Sequence, residues 1–476
     1  MDNRWTLFVE NLGRIKEAEV KVAPFTLFVG ANNSGKSYLM TILYTLLNLR
    51  LTGTGYNLCM DTSEYKDCEA WLESCVKSVS EEAPGKFPIT AETVKKFERL
   101  LNLILSKNLK RISRQAFNTE VPIGRIAVSF PETDAGELNI APVHVADYSP
   151  AHIENEEEHS QPIYRFHAGK GEGYRSVLLF ETARAASYML EYLIKRQFKI
   201  SASADAAFLP TSRTGFLLTY RSLTNASLRQ TLDFPAEVAE EEARYSMNPL
   251  TRPCSDFLKN LVVILQNGSS SRLQGNKYRN VLQFMEKNML CGHITVRYQG
   301  PMSDVTYRPE GFDREIPMHL ASGVVTEIAP LSLMLQYYRP FGRPFGTLFM
   351  EEPEMSLHPE LQREMARTLI RIVNTKTPVF VTTHSDTILS HLNNMIKLRN
   401  QPEERQARVM SQLGYAKEDL ISAEDVSMYQ FDVERDGKSV VQALVSDAYG
   451  FEIPSFNDAL EKLLNDTRKT DPEEDD

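Results

Sequence analysis

Gly30-Ala31-Asn32-Asn33-Ser34-Gly35-Lys36-Ser37 sets two glycines, a lysine and a hydroxyl in the spacing G-x-x-x-x-G-K-[ST]. Glycines let the chain curl close to a ligand, so that loop N–H groups and the start of a following helix surround a phosphate. Lys36 would reach the β- and γ-oxygens of a triphosphate, and the Ser37 hydroxyl would ligand Mg2+. Far downstream, Leu348-Phe349-Met350-Glu351-Glu352-Pro353-Glu354 ends an apolar run in carboxylates. Glu351 would hold the magnesium through water and Glu352 would accept a proton from an attacking water, because phosphoryl transfer asks for positioning, charge neutralisation and an oriented nucleophile.

Two further segments carry weaker signals. Val379-Phe380-Val381-Thr382-Thr383-His384-Ser385 ends another apolar run in a histidine that could hydrogen-bond a γ-phosphate oxygen and report its presence. Leu320 to Glu327 puts Ser322 and Gly323 at the start of a helical pattern. That is either an anion site, from the Ser322 hydroxyl, the Gly323 amide and the helix dipole, or an ordinary N-cap.

These groups need a scaffold that brings them together. Phe25 to Val29 is apolar on both faces, as a central buried strand is, and it stops at Gly30. From Lys36 to about Leu49 the apolar residues recur at three- and four-residue steps, so the opening unit is strand, glycine loop, helix. Strands are expected at 5–10 and 15–22, with a turn at Asn11-Leu12-Gly13, and again at 123–130. Residues 61–116 read as helices broken by Ala83-Pro84-Gly85, and 177–198 and 221–290 as mostly helical, the latter with a flexible Asn267-to-Ser271 loop. From 293 onward, strands at 347–350 and 378–382 alternate with helices, the pattern of an α/β sheet with ligands collecting at the C-terminal strand ends.

The 476 residues, 42% hydrophobic and 24% charged, exclude disorder as the main state. A formal charge of −10 argues against a surface that coats nucleic acid everywhere and leaves room for a local basic groove. Five widely spaced cysteines show no zinc spacing and read as reduced thiols. The N-terminus has no basic segment leading into an apolar core, and no stretch approaches the length of a membrane helix, so a cytoplasmic location without membrane partners is expected. Lys107, Lys110, Arg111, Arg114, Lys195, Arg196 and Lys199 read first as solvated helix faces.

Phosphate loop, Ser-Gly helix start, Glu-Glu-Pro-Glu-x-x-Leu-His-Pro and Thr-Thr-His-Ser occur in the order and wide spacing of the ABC-type ATPases of the RecF/SMC/OLD group, which the chain resembles. That group includes compact AAA-family ATPases of bacterial defence systems. Leu209-Pro210-Thr211-Ser212-Arg213-Thr214-Gly215 resembles its Leu-Pro-Ala-x-Arg segment, and Gly450 to Asp458 its closing Gly-x-x-x-Pro-Ser-Phe pattern.

The resemblance implies an α/β, ABC-type P-loop domain built from both chain ends, over 1–56 and 291–470, to which strands from 117–220 could belong. A mostly helical insertion would occupy 57–116 and 177–290, and 471–476 would be an acidic tail. It implies ATP and Mg2+ bound by residues 30–37 and Glu351. Glu352, Lys36 and the switch histidine His384 would do the chemistry. Ser322 and Gly323 would reach the γ-phosphate of a second protomer, with Ser356-Leu357-His358 crossing the dimer. Three positions depart from the group. Glu351 stands where an Asp is usual, the Ser-Gly-Gly-Gln signature lacks its second glycine and glutamine, and Gln115 is a poor candidate for the glutamine that joins nucleotide to insertion.

The function expected from the resemblance is an ATPase that oligomerises through its nucleotide sites and controls a separately encoded effector, a nuclease or toxin, in antiphage defence. Its trigger would be a nucleic acid or a phage protein. Residues 385–476 leave no room for a fused nuclease, so no intrinsic cutting is expected. The alternatives are a RecF-like DNA-binding repair ATPase and a nonhydrolysing ATP-gated scaffold.

Overall fold

The computed structural model describes residues 4–49, 51, 59–79, 85–133, 136–143, 163–168, 177–179, 182–198, 206–220, 222, 250–267, 276–297, 303–339, 344–452, 464–467 and 469. Nine strands form one mixed sheet, in spatial order Arg125–Ser129, Thr6–Leu12, Ile15–Lys21, Ser439–Leu444, Val426–Val433, Phe25–Gly30, Val379–Thr382, Thr347–Glu351 and Ala206–Leu209. The last five run parallel. Their C-terminal ends therefore emerge along one rim, which is where an open α/β sheet gathers its ligands. The α/β class and the construction from both chain ends are as expected, and strands from 125–129 and 206–209 complete the sheet.

Alternation along the parallel strands splits their side chains between two apolar layers. Leu27, Leu348, Met350, Val379 and Val381 face one core, with residues of the helices Arg252–Asn267, Gly323–Tyr337, Pro359–Asn374 and Asp386–Arg399. Phe28, Phe208, Phe349 and Phe380 face the other, with the helices Lys36–Leu47, Ser63–Lys77 and Ala91–Lys107. Both faces are covered, which accounts for the uninterrupted apolar runs.

Aromatic packing fixes the helix that follows the phosphate loop. Phe208, Phe349 and Phe380 stack across three adjacent strands, with centroids 6.0 and 4.4 Å apart. Tyr44 of the helix Lys36–Leu47 meets Phe208 and Phe349 edge-on at 5.2 and 5.5 Å. Such aromatic pairs add about 0.5–1.5 kcal/mol each beyond the area they bury.

The segment expected as a helical insertion is more mixed. Thr62 and Thr90 cap the helices Ser63–Lys77 and Ala91–Lys107 through their side chains. The expected break at Ala83-Pro84-Gly85 leads into a strand, Gly85–Pro88, the first of four in a small antiparallel sheet with Glu137–Val143, Ile163–Ala168 and Val177–Leu179. The helical start expected at 177 is thus a strand, and the helix runs Thr182–Gln197. The Gly268-to-Ser271 part of the expected flexible loop, Lys199, and residues 453–458 of the expected closing pattern lie outside the described residues.

Among the described residues no helix is long and apolar enough to cross a membrane. None of the five cysteines is in a disulfide, and burial raises the thiols of Cys68 and Cys75 to about 12 and 11. Lys110 and Arg114 pair with Glu120 on the surface, and Lys195 pairs with Glu191.

Candidate functional site

The loop begins where the strand Phe25–Gly30 ends. Gly30 has φ +126, and a Cβ there would strike the backbone of Phe431 on the adjacent strand. Gly35 has φ +99 and ends the loop as the N-cap of Lys36–Leu47. Both are conformations that side-chain-bearing residues rarely adopt, so the glycines are required by the turn itself. Ala31, Asn32 and Asn33 are exposed, Ser34 is buried, and Ser37 is exposed on the first helical turn.

Lys36 folds back over this loop. Its Nζ donates to the carbonyls of Gly30 and Ala31 at 3.1 and 2.6 Å and to Ser34 Oγ at 3.3 Å. Burial lowers its pKa to about 8, while Glu352 and Glu354 act in the opposite direction. The residue is 6% exposed, its ammonium solvated by three oxygens of its own loop and facing two carboxylates of the turn that follows the strand Thr347–Glu351.

Those carboxylates arrive through sheet register. Phe28 pairs with Thr382, and Thr382 with Glu351, so the acidic strand ends level with Phe28, two residues before the loop strand ends at Gly30, on the other side of Val379–Thr382. Thr211 donates to Glu351 Oε2 from its N–H and its hydroxyl, each at 3.3 Å. Glu352 turns at φ +42, a left-handed conformation costly for a residue with a side chain. Its N–H is held by Thr382 O at 2.8 Å and its carbonyl by Arg213 Nη2 at 2.9 Å. The Glu352 carboxylate lies 3.9 Å from His384 Nε2.

His384 is half-buried, and burial together with Lys36 pulls its pKa below the ordinary value, which favours the neutral ring. Glu354 fixes the backbone beneath it, accepting from the His384 N–H and from Thr383 Oγ1. Burial raises the Glu354 pKa, against the lowering effect of those donors. Lys36, Glu352, Glu354 and His384 therefore form one group of charged and hydrogen-bonding side chains at the rim.

Ser322 and Gly323 are placed elsewhere. Both are exposed, and Ser322 Oγ accepts from the Val325 N–H at 3.4 Å, capping the helix Gly323–Tyr337. Leu320 and Phe312 are each 68% exposed. Gln115 sits on the helix Leu109–Phe117.

Sequence reasoning assigned no role to Arg213, Glu327, Thr211 or Glu354. Arg213 is fully buried, donates from Nη1 to Glu351 O at 2.6 Å, and forms an ion pair with Glu327. The signal available was an arginine inside the Leu-Pro-Thr-Ser-Arg segment directly after the edge strand Ala206–Leu209.

A phosphate loop facing strand-end carboxylates, on a mixed sheet built from both chain ends, defines a P-loop ATPase fold of the ABC type. The AAA ATPase domain family matches residues 6–123 and 220–389, more than half of the chain, and the chain belongs to that family. An OLD nuclease of Thermus scotoductus is 30% identical over 132 residues, 28% of this chain and 22% of the nuclease, so the chain matches less than a quarter of that relative's length. Both agree with the RecF/SMC/OLD group read from the motifs. Similar solved structures include an Smc head bound to the C-winged helix domain of ScpA (13% identity, 93% and 97% of the two chains, TM-score 0.36). Others are an Smc head with an extended coiled coil bound to the C-terminal domain of ScpA derived from Pyrococcus furiosus (13%, 98% and 100%, 0.36) and an SMC head domain from Thermotoga maritima (10%, 93% and 99%, 0.33).

Proposed function

We propose that the chain binds and hydrolyses ATP at the rim formed by residues 30–37, Glu351, Glu352 and His384. The observation that carries this is Lys36: a buried ammonium held by loop carbonyls that a phosphate would replace, facing Glu352 and Glu354. Phosphate oxygens would take over the lysine and the loop amides, including the N–H groups at the start of Lys36–Leu47.

Glu352 is the proton acceptor for the attacking water in this reading, and His384, kept neutral, donates to the γ-phosphate. Ser37 and Glu351 fit a magnesium site, since one hydroxyl and one carboxylate beside phosphate oxygens are the sparse set that this ion takes. Magnesium, when bound, would neutralise charge on the transferred phosphoryl group. Among the described residues no group of three His, Cys, Asp or Glu is arranged to hold a metal, in keeping with a site completed by the nucleotide.

The exposed Ser322–Gly323 turn supports assembly of two protomers across their nucleotides, since its amide end is open to an anion from outside. Sedimentation of Glu352→Gln, which should bind ATP without consuming it, tests this: a dimer with ATP and a monomer without is expected, and one unchanged species in both conditions rejects it. The likeness of the motifs to defence-system ATPases supports control of a separately encoded effector in antiphage defence. Co-elution of a second polypeptide when the native operon is expressed is the corresponding test, and purification of the chain alone counts against it.

A further inference from the structure

Arg213 lies between the helix that starts at Ser322–Gly323 and the peptide that aims Glu352. Its Nη1 donates to Pro210 O at 3.2 Å and Glu351 O at 2.6 Å, and its Nη2 donates to Glu352 O at 2.9 Å. Nη2 also forms an ion pair with Glu327, a buried residue one turn into the helix Gly323–Tyr337. Thr214, next to Arg213, donates its hydroxyl to the other Glu327 oxygen at 2.6 Å.

One guanidinium thus holds both carbonyls of the link at which the chain enters the left-handed turn of Glu352, and its charge is answered from the helix carrying Ser322–Gly323. The turn at φ +42 is a conformation that persists only where its surroundings over-determine it. Breaking a buried ion pair leaves an uncompensated charge, so a shift of Glu327 must be followed by Arg213. The carbonyls of Glu351 and Glu352 follow in turn.

We propose that Arg213 is a positioning residue that makes the direction of the Glu352 carboxylate depend on the position of the helix Gly323–Tyr337. Engagement of Ser322–Gly323 by the nucleotide of a second copy is then felt at the proton acceptor of the same chain. This rests on the ATPase reading above and adds to it the route by which one site senses the other.

The test is steady-state phosphate release by the full chain with Mg-ATP over a range of protein concentrations, alongside binding of a fluorescent ATP analogue. Glu327→Gln keeps the shape and the Thr214 contact and removes the charge. Its kcat is expected to fall about ten- to hundredfold, as misplacement by an ångström does. KM and analogue affinity should stay unchanged, and the rise of kcat with protein concentration expected of the unaltered chain should vanish. Arg213→Lys, which keeps the charge and loses the fork, should behave the same way.

If Glu327→Gln melts below the assay temperature, Thr214→Val replaces it, with a smaller loss in kcat alone expected. Wild-type kcat in the folded variants, or a kcat loss matched by an equal loss of affinity, overturns the coupling. Phosphate release that depends on Lys36 but is untouched by Glu327→Gln defeats the coupling alone, whereas release indifferent to Lys36→Ala defeats the ATPase reading and the coupling with it.

Discussion

Glu354 accepts a hydrogen bond from the backbone N–H of His384, tying the turn after one strand to the end of its neighbour. A second bond, from Thr383 Oγ1 at 2.9 Å, closes the link. The histidine beside Glu352 is thereby placed by a carboxylate two residues beyond Glu352 itself.

Replacing Glu354 with Ala should loosen His384 while the three loop oxygens around Lys36 Nζ stay in place. The lost acceptor leaves a half-buried N–H unpaired, at about 1–3 kcal/mol. Turnover is expected to fall while the affinity for ATP is kept, as read by steady-state kinetics and by titration of a fluorescent analogue. Loss of both in proportion would place Glu354 in the architecture of the loop instead.

Gly30→Ala and Gly323→Ala should differ sharply. At Gly30 the positive φ costs about 1–3 kcal/mol for any side chain, and the Cβ would also strike the Phe431 backbone. At Gly323 nothing lies within 4 Å of the place a Cβ would take, so stability should change by no more than about 0.5 kcal/mol. Urea unfolding of the two variants gives the comparison, and equal midpoints would contradict the geometry of the loop.

His391 should make the fold sensitive to mild acid. It is 3% exposed, its ring meets Tyr415 edge-on at 5.6 Å, and its Nε2 has no hydrogen-bond partner among the described residues. Burial, with Arg363 and Arg367, lowers its pKa to about 4, and Asp419 opposes them. The unfolded chain takes up the proton near pH 6.5 and the folded chain only near 4, so stability falls as pH drops through that window. The loss amounts to about 3 kcal/mol at the bottom of it. His391→Phe should flatten the acid limb of the stability profile between pH 6.5 and 4, and an unchanged slope would assign the acid sensitivity to other groups.

Much of the framework could be read from the residue pattern because its signals are local. Phe25–Gly30, Thr347–Glu351 and Val379–Thr382 are apolar on both faces, and each ends at a glycine or a polar or charged group, so their place as central strands follows from composition alone. What escaped depends on partners distant in the chain. Arg213 stands in the sequence only as part of the Leu209-to-Gly215 segment, and its role appears once Glu327 and the carbonyls of Glu351 and Glu352, far along the chain, are seen around it. The strand Gly85–Pro88 was hidden because its Pro-Gly start looks like a helix break, and its pairing with Glu137–Val143 is nonlocal. Of the two readings that Ser322 allowed, the N-cap is the one its side chain makes within the chain, and the turn it begins is exposed.

The central claim is that a triphosphate sits on the loop 30–37 facing Glu352, and phosphate release from Mg-ATP by Lys36→Ala and Glu352→Gln tests it most directly. Lys36→Ala should lose nucleotide binding and release together. Glu352→Gln should bind ATP and release phosphate about 10²–10⁴ times more slowly, the usual contribution of a placed proton acceptor. Release at the unaltered rate in both variants would contradict the account.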